Sequence, residues 1–135
     1  LVMIGYSPKF PLQLDNYVGA YSLNTTLLAV AKQNFMNVLL TTPGERLMDQ
    51  DFGVGLRRYL FEPNTPTLHS SIATKIQKQV AKYTPYIQLG TILFNQSKLL
   101  NGFEDQILEV SLTFSVPSTG AESETVIIGE GASAL

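Results

Sequence analysis

The sequence predicts an α+β domain: about three helices packed on a small, mostly antiparallel sheet, with an extended N-terminal arm. Three observations carry this. Two stretches in the first half space their apolar residues by three and four. Leu108, Val110, Leu112, Phe114 and Val116 then alternate strictly with polar residues, the pattern of a half-buried strand. The opening stretch carries Gly5, Pro8, Pro11 and Gly19 and holds no period.

Taken in order, residues 1–23 read as the arm, 24–117 as a single core domain, and 118–135 as a C-terminal strand with a flexible tail. Leu27, Leu28, Ala31, Phe35, Val38 and Leu39 form one face of the first helix, with Asn24 as its expected N-cap. Thr41, Thr42, Pro43 and Gly44 stop it, because proline cannot continue the hydrogen-bond ladder. A turn-rich stretch runs to Gly55, and a short helix is expected from Leu56 to about Phe61, ending before Pro63. Leu68, Ile72, Ile76, Val80 and Tyr83 make the stripe of a third helix, with Thr67 as its expected N-cap and Pro85 as its stop. Lys75, Lys78 and Lys82 lie off that stripe and are expected to face solvent or an acidic partner. Strands are expected at Ile87–Phe94, along the alternation ending at Val116, and at Thr125–Ile128. Glu109, Ser111, Thr113 and Ser115 would face outward.

Composition removes several function classes. The 135 residues include no cysteine, so there is no disulfide framework, zinc–thiolate site or thiol nucleophile. Only 15% are charged, against about 25% in ordinary domains. Ser, Thr, Asn and Gln, 37 in all, fill the gap. No apolar run approaches the roughly 20 residues of a membrane span. A net charge of −2 argues against a nucleic-acid partner. That net value hides a division. Residues 1–98 hold all nine bases and five acids, whereas residues 99–135 hold six acids and no base. Such sorting suits a subunit set between unlike neighbours.

The search for chemistry yields no catalytic, cofactor-binding or metal residue. Glu45, Asp49, Asp51 and Glu62 are near enough in sequence to suggest a carboxylate pair, but their positions suit loop capping and local pairing with Arg46. His69 and its serine neighbours point in different directions on a helix. Gly53-Val-Gly55 lacks the third glycine and the preceding strand of a dinucleotide loop. The same region makes a better protein interface. Gly53 lets a second surface approach the backbone, Arg46, Arg57 and Arg58 supply planar multi-donor heads, and Phe52 supplies aromatic area.

The run from Asn37 to Leu56, centred on Pro43-Gly-Glu-Arg-Leu-Met-Asp-Gln-Asp-Phe-Gly-Val-Gly55, resembles the central motif of the baseplate wedge and tail-sheath initiator family of contractile-tailed phages and related contractile injection systems. The resemblance continues through Tyr59-Leu-Phe-Glu62 and Lys82-Tyr-Thr-Pro-Tyr-Ile87, and ends at Phe114-Ser-Val116. It implies a structural subunit that binds other baseplate wedge proteins and initiates tail-sheath assembly. Tail tube or hub proteins are further candidate partners. The implied location is the virion tail baseplate, after assembly in the host cytoplasm. The family's Glu-Pro-Arg after the long helix is reduced here to Pro85, so Tyr83 and Tyr86 are expected to supply an aromatic or hydrogen-bonded version of that docking contact. Gln50 also stands where the family often has proline. Some members carry a lysozyme label, which keeps a peptidoglycan hydrolase as one alternative and a small adaptor on the same fold as another. The segment Val126, Ile127 and Ile128 is the expected site of strand addition by the sheath protein. On this reading, deleting residues 118–135 leaves a folded monomer.

Overall fold

A computed structural model describes residues 5–14, 21–63, 65–97, 107–120 and 122–129. Its elements are β1 (Ser7–Pro8), β2 (Leu23–Asn24), α1 (Leu27–Leu40), α2 (Leu56–Tyr59), α3 (Pro66–Tyr83), β3 (Gln88–Ser97), β4 (Ile107–Ser115) and β5 (Glu124–Ile128), with a 3-10 turn at Pro117–Thr119. The α+β expectation holds. Three helices accompany a three-stranded antiparallel sheet in the order β3-β4-β5 and a two-stranded β1-β2 ribbon.

Both long helices begin elsewhere than expected. Thr26, not Asn24, caps α1 by accepting from the Ala29 amide at 3.2 Å. Asn24 is buried in the ribbon instead, its amide committed to Ser7 of the arm and Gln33 of α1. Thr65, not Thr67, caps α3 by accepting from the Leu68 amide at 3.3 Å. Pro66 then occupies the first turn, where its missing N–H costs nothing. The short helix ends at Tyr59, and the first main strand extends to Ser97.

The arm is fastened rather than merely extended. β1 pairs antiparallel with β2, Ser7 opposite Asn24 and Pro8 opposite Leu23. Gln33 of α1 anchors it through three bonds: its Oε1 accepts from Asn24 Nδ2 at 2.8 Å and Phe10 N at 3.2 Å, and its Nε2 donates to Pro8 O at 3.1 Å.

The core lies between the α1–α3 layer and one face of the sheet. Phe35, Leu39, Leu56, Ile72 and Ile76 meet Val110, Leu112 and Phe114, all essentially without solvent exposure. The Phe35 and Phe114 rings lie 4.7 Å apart, tilted at 39°, a favourable aromatic geometry. The alternation of β4 is realised from Val110 to Val116; the side chain of Leu108 lies outside what is described. Its polar face is less open than expected, because Ser111 is itself buried, with Leu93 and Ile127 as its cross-strand neighbours.

β5 corrects the reading of the C-terminal segment. It pairs with β4 from Val110–Ile128 to Phe114–Glu124, and Val126 and Ile128 are buried in the core. Removing residues 118–135 therefore strips two core side chains, so such a deletion does not leave the fold intact. The tail beyond Gly129 lies outside the described residues. An ion pair, Lys32 Nζ to Glu124 Oε2 at 3.2 Å, joins the basic helical half to the acidic C-terminal half.

A braced loop presenting two apolar side chains

The stretch between α1 and α2 folds back on the core and is held from several directions. Val54 N donates to Val38 O at 2.9 Å, and Gly44 N to Gln50 O at 2.9 Å. Gln79 of α3, itself buried, accepts from Gly53 N at 3.0 Å and donates to Asp51 O at 2.9 Å. One side chain thereby satisfies two backbone groups of the loop. Gly53 has φ +105, and a Cβ there would sit 2.1 Å from Thr41 O. Only glycine fits.

Below the loop lies an aromatic and charged stack. The Arg46 guanidinium carbon is 3.6 Å from the Phe52 ring centroid, and Phe52 meets Tyr83 edge-on at 4.7 Å. The Tyr83 hydroxyl donates to Asp49 Oδ2 at 2.7 Å. Lys82 Nζ lies 4.9 Å from the Tyr83 ring centroid, and hydrogen bonding to and charge interaction with Tyr83 hold its pKa above the ordinary lysine value, with Asp49 and Asp51 adding to the effect. The stack lets charge cover an aromatic face instead of leaving it to water.

This bracing displays Leu47 and Met48, which are 90% and 100% exposed. Sequence reasoning passed over both. The available signal was a pair of adjacent apolar residues inside a Gly/Pro-punctuated turn that no helical or strand period uses.

The expected interface residues do not form one patch. Arg46, Phe52, Gly53 and Tyr83 come together at the loop, but Phe52 and Gly53 are buried and shape the surface from beneath. Pro85 is exposed just after α3, beside Tyr86, whose hydroxyl accepts from Asn34 Nδ2 at 2.9 Å. Arg57 and Arg58 are exposed on α2, and Arg57 lines a groove under the arm, not the Arg46 stack. Ile127 faces outward while Val126 and Ile128 face in. Of the lysines expected outside, Lys78 and Lys82 are exposed, whereas Lys75 is half-buried and donates to the Tyr59 hydroxyl at 3.3 Å.

Of the four carboxylates close in sequence here, Glu45 and Asp49 serve the loop. Glu45 Oε2 accepts from Thr42 N at 3.1 Å, and Asp49 receives Tyr83. His69 stacks on Phe94, ring centroids 4.4 Å apart and nearly parallel. Among the described residues no group of three or more His, Asp or Glu side chains is placed to hold a metal ion, and no helix is long and apolar enough to cross a membrane.

Comparison with known proteins gives a consistent picture. The fold is similar to that of a protein from Geobacter sulfurreducens assigned provisionally as a tail lysozyme, with a TM-score of 0.63 and 19% identity, covering 80% of this chain and 93% of that one. A chain in the baseplate of the anti-feeding prophage is similar at a TM-score of 0.65 and 21% identity, over 79% and 81% of the two chains. A chain of the post-contraction pyocin R2 baseplate follows at 0.50 and 19%, over 87% and 95%. In sequence, baseplate wedge protein gp25 of Enterobacteria phage T4 is 28% identical over 85 residues, which span 63% of this chain and 61% of the relative. The family model for baseplate wedge protein gp25 matches residues 26–121, from the cap of α1 through β4 to the segment before β5, and the chain belongs to that family.

Proposed function

We propose that this chain is a structural subunit of a contractile-tail baseplate, that it binds neighbouring wedge proteins, and that it initiates assembly of the tail sheath. The observation that carries the reading is the family match across residues 26–121, which spans α1, the braced loop, α3 and the first two strands of the sheet, β3 and β4. The loop supports the wedge-binding part: Leu47 and Met48 stand fully in solvent on a scaffold fixed by Gln79, Tyr83 and Asp49. A pre-ordered apolar pair loses little freedom on docking, which is how a small contact gains affinity.

Sheath initiation is supported by the sheet. β5 is an edge strand, so one row of its backbone groups faces away from β4 and suits strand addition by the sheath protein. On this reading β5 receives a strand rather than leaving its own sheet. The location follows as the virion baseplate, reached by assembly in the host cytoplasm. Tail tube and hub proteins remain the inner partners of the proposal.

The test is electron microscopy of assembled tails carrying a label on this subunit, alongside an Ile127→Lys variant. Label in a ring at the sheath–baseplate junction is expected, as is a folded variant that no longer nucleates sheath. Label elsewhere overturns the reading, and normal sheath growth on the variant overturns its strand-addition part. The name of the Geobacter neighbour favours a tail hydrolase as a second reading. Glu45 and Asp49 would then have to be freed from Thr42 and Tyr83; muralytic activity abolished by Glu45→Gln with assembly unchanged would establish it.

A further inference from the structure

The sheet β3-β4-β5 ends in two edge strands, and a groove of about 710 Å³ opens at the end of β5. It follows one side of α1 from Ala29 to Leu40, about 16 Å at the helical rise and room for about five residues of extended chain. Met36 and Leu40 form its floor, the arm walls it through Lys9 and Phe10, and Ile128 and Gly129 close the end of β5. The arm precedes residues 26–121, so one wall of the groove is built by sequence outside the family match. Lys9, Lys32 and Arg57 line it, and no lining residue among those described is a carboxylate. Lys32 reaches Glu124, whereas neither Lys9 nor Arg57 is paired with a carboxylate among the described residues.

We propose that this groove selects the strand that adds to β5: an extended segment of a partner protein, apolar where it crosses Met36 and Leu40 and carrying carboxylates for Lys9 and Arg57. This rests on the strand-addition part of the proposed function and supplies the chemistry by which the strand is chosen. Pairing fixes which side chains enter. Cross-strand neighbours share a face of the sheet, and Val126 and Ile128 face the α1 layer. Residues of the added strand opposite those two point to the same side, toward the groove, while one opposite Ile127 points to solvent. Charge complementarity does the rest. Backbone pairing is indifferent to sequence, so an edge strand alone accepts any extended chain. A cationic groove beside that edge favours an acidic segment and repels a basic one, which sets specificity next to the pairing that supplies affinity. Gln33 holds the ribbon through Asn24, Phe10 and Pro8, so the wall stands before a partner arrives.

The probe is a short blocked synthetic peptide of alternating valine and threonine with a glutamate at each end, titrated into the isotope-labelled full chain. Counterparts carry glutamine or lysine at both ends. The glutamate peptide is expected to shift the β5 amides and the Met36 methyl, leave the β3 amides in place, and bind about tenfold more tightly than the lysine peptide. Salt at about 0.5 M, which confines charge interactions to about 4 Å, should close that gap. Lys9 and Arg57 are both exposed, so Lys9→Glu with Arg57→Glu should keep the fold by circular dichroism and invert the order of the peptides. Should that double variant unfold, Lys9→Gln with Arg57→Gln is expected to erase the preference instead. Equal binding of all three peptides at β5 overturns the proposal and leaves strand addition standing. Binding at β3 in preference, or no binding at β5 by any of them, overturns both. A sedimentation coefficient that rises with concentration and is flattened by Lys9→Glu with Arg57→Glu makes a second copy the occupant and overturns it as well. An unaltered preference in the charge variants overturns the role given to Lys9 and Arg57.

Discussion

Replacing Gly53 by alanine separates two costs that are usually merged. Gly53 and Gly44 both have φ in the left-handed half of the map, +105 and +96. Around Gly44 nothing lies within 4 Å of an added Cβ, whereas at Gly53 that carbon would meet Thr41 O at 2.1 Å and Thr41 C at 2.8 Å. Gly44→Ala therefore incurs only the left-handed conformational penalty, about 1–2 kcal/mol. Gly53→Ala incurs the same penalty and must also move the Thr41 backbone or its own. Any movement disturbs two bonds, Gly53 N to Gln79 Oε1 and Val54 N to Val38 O, each about 1 kcal/mol with a further cost if a buried group loses its partner. The total for Gly53→Ala comes to about 4 kcal/mol, a large part of the 5–15 kcal/mol that stabilises a typical domain. With a urea dependence of about 2 kcal/mol per molar, the unfolding midpoint should fall by about 2 M, against less than 1 M for Gly44→Ala. Urea titration followed by far-UV circular dichroism reads both. Midpoints within 0.3 M of each other would show that the loop yields at Thr41 and is not braced as described.

Three further perturbations probe other contacts. Gln79→Ala leaves the buried Gly53 amide without its acceptor and should cost about 2–3 kcal/mol by the same titration, while Gln77→Ala on the exposed side of α3 stays within 0.5 kcal/mol. Gln33→Ala removes the three bonds by which α1 holds the ribbon. Amide exchange should accelerate at Tyr6 and Lys9, which donate to Asn24 and Ser22 across the ribbon, and stay slow in β4. Leu47→Ser with Met48→Ser should leave thermal stability within 1 °C and yet abolish incorporation into baseplates, measured by sedimentation of assembled tails; a stable double variant that assembles normally removes the loop from the interface.

Local periodicity carried most of the architecture. The helix stripes from Leu27 to Leu39 and from Leu68 to Tyr83, and the alternation of β4, are consequences of side-chain spacing alone. What stayed hidden depends on partners far along the chain. Asn24 is a sound N-cap residue by type, but Ser7 of the arm and Gln33 of α1 claim its amide, so the cap passes to Thr26. Thr67 loses to Thr65 because Pro66 is better placed in the first helical turn. Asp49 and Tyr83 are 34 positions apart, and no local rule joins them. The candidate interface was legible as a loop but not as a surface. Glycines and aromatics marked where the backbone turns, and burial then withdrew Phe52 and Gly53 from view while lifting Leu47 and Met48 out.

The order of the layers along the chain also sets how the subunit is made. Phe35, Leu39, Ile72 and Ile76 belong to helices synthesised first, and their lids, Val110, Leu112, Phe114, Val126 and Ile128, come last. At about 5–20 residues per second, the helical half spends seconds on the ribosome with its apolar side unroofed before residues 84–128 have followed. β5 is the closing piece of a core begun at α1, and a chain interrupted before it leaves its stickiest surface uncovered.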